Sequence, residues 1–106
     1  MDLYWQTQMP LTTRYKVFAQ LLTADNKLVA QSDSFPAAGQ RPTTGWLPQE
    51  IIVDPHPLTF SSNPAPGTYR LIAGLYNPLT GQRLPVVNER GETVGDAILV
   101  TEVTLP

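Results

Sequence analysis

Residues 66 to 84 read Pro-Gly-Thr-Tyr-Arg-Leu-Ile-Ala-Gly-Leu-Tyr-Asn-Pro-Leu-Thr-Gly-Gln-Arg-Leu: a turn, an apolar strand, a second turn and a returning strand. Asn77-Pro78 opens a type I turn and Gly81 supplies a positive φ, so the segment is a β-hairpin punctuated at both ends. Tyr69, Leu71, Ala73 and Leu75 alternate onto one face of its outgoing strand, 68 to 77. The same grammar recurs upstream. A strand over 14 to 23 places Tyr15, Val17, Ala19 and Leu21 on one face, Asp25-Asn26 reverses the chain, and 27 to 34 returns.

Further strands are predicted over 3 to 8, 50 to 54 and 96 to 105, with Pro10-Leu11-Thr12-Thr13 as a connector and Asn88-Glu89-Arg90-Gly91 as the last turn. In the final strand Ile98, Val100 and Glu102 are assigned to one side, and Leu99, Thr101 and Val103 to the other. Helical periodicity is missing. The expected fold is therefore all-β, an antiparallel sandwich of seven to eight strands, immunoglobulin-like or jelly-roll, forming one domain over residues 1–106. Residues 35 to 67 hold seven of the eleven prolines and one evident strand, which Pro55 ends or confines to a sheet edge.

A hydrophobic fraction of 42% suffices for a core, and 7 basic against 9 acidic residues leave a net charge of -2 without any basic stripe. Nucleic acid is thus excluded as a partner, and so is a polybasic membrane attachment. With no cysteine, disulfides and thiolate metal sites are excluded too. No apolar run approaches the roughly 20 residues a membrane span needs. Met1-Asp2 leads straight into Leu3-Tyr4-Trp5, so a domain excised from a longer protein is expected.

His56, the one histidine, follows Asp54 by two positions, with Ser61 and Ser62 close by. A nucleophilic triad needs a buried, oriented imidazole. The Pro55-His56-Pro57 context instead predicts a solvated loop histidine. Asp33, Glu50 and Asp54 could pair for glycoside hydrolysis or hold calcium, but aspartates beside turns ordinarily cap backbone amides, and no calcium-loop spacing is present. No cofactor motif occurs, phosphate-binding glycine patterns included. Trp46 lies in a loop, either as a platform for a sugar ring or as a plug over the end of the sandwich, and the area it would bury favours the plug. Tyr69, straight after Pro66-Gly67-Thr68, is placed as a corner tyrosine bonded to nearby backbone.

Tyr15-Lys-Val-Phe-Ala-Gln-Leu-Leu22, Asp33-Ser-Phe-Pro36, Arg41-Pro-Thr-Thr-Gly-Trp46, Pro48-Gln-Glu50, Asp54, Pro66-Gly-Thr-Tyr-Arg-Leu71 and Gly74 to Leu84 follow one another in one order. That order resembles the extracytoplasmic β-sandwich region that follows the membrane part of bacterial multi-pass glycosyltransferase-like proteins, related to the dolichyl-phosphate-mannose protein mannosyltransferases. Asn26 and Gln49 depart from it, standing where glycine is usual. The resemblance implies a non-catalytic accessory domain on the extracytoplasmic face of the cell membrane. Its partners would be the parent membrane domain and a glycan or lipid-linked sugar, held at Trp46, Arg41, Thr44, Asp33 and Asp54. A purely structural or protein-interaction module is the alternative, and a small stand-alone hydrolase the third reading.

Overall fold

The computed structural model describes residues 1–60, 63–87 and 90–106. Its strands are β1 (Asp2–Trp5), β2 (Lys16–Leu22), β3 (Leu28–Ser34), β4 (Ile52–Pro55), β5 (Thr59–Phe60), β6 (Gly67–Tyr76), β7 (Val86–Val87), β8 (Thr93–Gly95) and β9 (Ile98–Leu105), with short 3-10 turns at Pro36–Gly39 and Thr43–Gly45. The fold is all-β and every pairing among these strands is antiparallel. One sheet runs β5-β3-β2-β6-β9, β1 and β4 form a second, and β7 and β8 a third. No helix among the described residues is long and apolar enough to cross a membrane.

The expected alternation sets the core. Leu21 opposes Leu71 and Ala19 opposes Ala73 across β2 and β6, while Ala30 and Ser32 extend the row on β3. Leu3 of β1 lies against Val17, Ala19 and Ala73, so the two-stranded sheet covers this face of the five-stranded one. A second cluster joins Leu21, Ala30, Tyr69 and Leu71. Truncating a fully packed member such as Leu71 to Ala should cost roughly 2 to 5 kcal/mol. As expected, the Tyr69 hydroxyl donates to the Ala65 carbonyl.

The outer face of the large sheet is also partly covered. Phe18 points away from the core yet is buried, because Arg83 from the hairpin loop lies over its ring at 4.1 Å. Gly74 makes room for that ring: a Cβ there would sit 2.6 Å from Phe18 Cζ.

Two expectations need correction. In β9, Thr101 opposes Leu71 but Leu99 opposes Ile72, a bulge that leaves Val100 unpaired and moves Ile98 to the side of Thr101 and Val103. The arm returning from the 77–81 turn makes one bridge, Tyr76 with Arg83, before β7 leaves to pair with β8. As expected, β4 ends at Pro55 and is an edge of its two-stranded sheet, while one further backbone bond follows it, from the His56 amide to the Met1 carbonyl at 2.7 Å. Proline lacks its own N–H but leaves that of the next residue intact.

Candidate functional site

Because backbone hydrogen bonding continues through residue 56, the period-2 alternation does too. Ile52, Asp54 and His56 all point inward with 0% exposure, while Val53 and Pro55 point out. His56 is therefore a core residue, which corrects the expected solvated loop histidine. Its Nε2–H donates to Asp54 Oδ2 at 2.6 Å, and its Nδ1 is hydrogen-bonded to the Ser32 hydroxyl, 2.7 Å away on β3. Asp54 Oδ2 also accepts from the indole N–H of Trp5 on β1, at 2.9 Å, and Oδ1 accepts from the Ala37 amide at 2.8 Å. Ala37 and Ala38 hold φ of 53° and 54°, a conformation unfavourable for residues with a Cβ. The Asp54 carboxylate offsets that cost by taking the amide this turn directs inward.

One carboxylate thus ties β1, β4 and the Pro36–Gly39 turn together, and the imidazole carries the tie to β3. No buried side-chain polar atom among the described residues lacks a partner. A serine, a histidine and an aspartate are in contact, but in an acyl-transfer triad the imidazole turns Nε2 to the nucleophile and Nδ1–H to the carboxylate. Here the ring is turned the other way. Among the described residues, surface clefts open along the β3–β5 edge, beside β1 and around the hairpin loop, and neither Ser32 nor His56 lines these. The arrangement is suited to holding layers together, since buried polar groups fully satisfied in this way specify one packing. The serines considered from sequence, Ser61 and Ser62, lie outside the described residues.

The five expected ligand residues do not form one surface. Asp54 is sealed in the network, and Trp46 is buried with its Nε1–H donated to the Arg41 carbonyl at 2.8 Å. Trp46 is a plug, the reading that the area it buries favoured, and not an exposed platform for a sugar ring. Arg41 is paired with Glu50 at 2.6 Å. That guanidinium, helped by the Leu47 amide, holds the Glu50 carboxyl below the ordinary carboxylate range. Thr44 is exposed, whereas its neighbour Thr43, not singled out by the sequence, is buried. Thr43 donates to the Thr13 carbonyl and accepts from the Tyr15 amide, fixing this loop to the start of β2. No group of three His, Asp or Glu among the described residues is placed to hold a metal ion.

Asp33 alone of the five lies beside an open polar cleft. It projects from the outer face of β3, where the Tyr76 hydroxyl donates to its Oδ1 at 2.6 Å and Lys16 Nζ stands 3.9 Å away. Burial, followed by the hydrogen bond to Asp33, pushes the Tyr76 phenol up to about 12. Phe18, Gln20, Asp33, Tyr76, Gly81 and Arg83 line this cleft, between the sheet and the hairpin loop. Compared with known proteins, the chain matches no family model, no curated protein and no solved structure.

Proposed function

We propose that the chain is a non-catalytic accessory domain, extracytoplasmic and attached to a glycosyltransferase-like membrane protein, where it holds glycan or acceptor close to the parent enzyme. The observation that carries the non-catalytic part is the closure around His56: the imidazole and the Asp54 carboxylate have no exposed surface. The attachment rests on the ordered resemblance of segments from Tyr15 to Leu84. Within the all-β class we read the architecture as a β-sandwich, the five-stranded sheet covered by β1 and β4. The Tyr69 hydroxyl bonded to Ala65 favours the immunoglobulin-like form over a jelly roll.

The test is to remove this domain from the parent transferase. Holding acceptor predicts a raised KM for acceptor with kcat retained. An unchanged KM with lower thermal stability of the parent would favour the structural alternative. The hydrolase reading has its own check: a serine-directed fluorophosphonate should leave Ser32 unmodified in the folded domain, and stoichiometric labelling there would overturn the non-catalytic assignment.

A further inference from the structure

We infer that the outer-face cleft between Asp33 and Arg83 is a binding site for one ring of a neutral polyhydroxylated ligand, a sugar. The inference rests on the binding form of the function proposed above and moves the site away from Trp46. The cleft measures about 250 Å³. That is less than the roughly 300 to 1,000 Å³ of sites for drug-sized ligands, so it suits a single ring.

Its hydrogen-bonding groups are only partly used. The half-buried Gln20 carboxamide makes no hydrogen bond among the described residues, and Asp33 Oδ2 accepts none. Arg83 reaches Asp96 through Nη1 alone, at 3.4 Å, so Nε and Nη2 remain to donate. Free donors and free acceptors therefore sit side by side. A hydroxyl can donate to the Asp33 carboxylate while accepting from the guanidinium or the carboxamide, and adjacent hydroxyls can do so in pairs.

Charge selects against ionic ligands. Lys16 and Arg83 are balanced by Asp33 and Asp96. Of these four only Asp33 and Arg83 line the cleft, so phosphate would meet the Asp33 carboxylate and an amine the Arg83 guanidinium, whereas an uncharged ligand meets neither penalty. Phe18 is covered by Arg83, so the half-buried Tyr76 ring, 6.3 Å from it between centroids, supplies the apolar wall for the C–H groups of a ring. Gly81 leaves its mouth open, with nothing within 4 Å of where a Cβ would lie.

The experiment is titration of the isotope-labelled domain with methyl hexosides, with inorganic phosphate and with butylammonium, followed by amide and side-chain shifts. Saturable shifts of the Gln20 carboxamide and of the Asp33, Tyr76 and Gly81 amides by at least one hexoside are expected. Gln20→Ala and Asp33→Asn should each weaken binding about tenfold, the equivalent of one hydrogen bond to a charged or ordered group. The carboxamide introduced by Asp33→Asn keeps an acceptor for Tyr76, so the second variant preserves the local fold. Shifts driven by phosphate or butylammonium instead, or hexoside shifts unchanged in both variants, would overturn the inference. Saturable hexoside shifts confined to other residues would overturn this site while leaving the binding function standing. Absence of any hexoside shift would overturn both.

Discussion

Replacing Asp54 by Asn exchanges one carboxylate oxygen for an amide nitrogen at the centre of the buried network. The amide oxygen can still accept from the Ala37 N–H, which leaves the NH2 group facing Trp5 and His56. The imidazole can adapt by carrying its proton on Nδ1, donating to Ser32 and accepting from the new amide. The indole cannot, because its N–H is a donor only. One orphaned donor costs about 1 to 3 kcal/mol, and exchanging a charged acceptor for a neutral one weakens the remaining bonds. A total loss of about 3 kcal/mol follows, a large part of the roughly 5 to 15 kcal/mol that stabilises a domain of this size. Urea unfolding followed by tryptophan fluorescence reads it as a lower midpoint at unchanged slope. Asp2→Asn, exposed at the start of the same sheet, is the control. Equal midpoints for the two variants would refute the claim that Asp54 holds the layers together.

Four further outcomes follow from the same structure. Trp46→Ala should cost roughly 3 to 5 kcal/mol in the same unfolding assay, as expected of a buried plug and not of a surface platform. Gln49 holds a φ of 67°, so Gln49→Gly should raise stability by about 1 kcal/mol, whereas Asn26→Gly, at the same φ, should change it little because Asn tolerates that region; differential scanning calorimetry distinguishes them. Gly74→Ala should destabilise by about 1 to 3 kcal/mol, since the new methyl would press on Phe18 at 2.6 Å and on the Asp96 carbonyl at 3.2 Å. One of the four tyrosines should ionise late, near pH 12, in an absorbance titration. A phenol raised in the folded state stabilises below its unfolded value of 10.0, and the contribution is lost as pH rises through 12. Asp33→Asn should bring that transition down.

Much of the large sheet was legible because alternation and turn chemistry agree there. Val17, Ala19 and Leu21 face Leu71 and Ala73 as the period of two requires, and Asn26 and Gly81 hold the positive φ their turns need. The two glycine departures, Asn26 and Gln49, fall on positive-φ residues, so both stand where the backbone itself favours glycine. The candidate site was not legible. Pro55 and Pro57 read as punctuation, yet the alternation Ile52, Asp54, His56 runs past Pro55 and ends on a buried imidazole. Extending that period by one step would have found His56. Nothing local marks Ser32 as its partner, because that contact depends on how β1 and β4 lie across β3. The bulge at Val100 was hidden for a similar reason: it belongs to the pairing with β6 and not to the strand's own composition.

The most direct test of the buried network is the nitrogen and proton spectrum of the His56 ring. A ring with no exposed surface, bonded at both nitrogens, should show a single tautomer protonated at Nε2. That proton and the Trp5 indole proton should be protected from solvent exchange as strongly as the amides of β2 and β6. A rapidly exchanging ring with averaged tautomers would contradict the account, since it would return His56 to a solvated loop and leave Asp54 without the partner that closes the site.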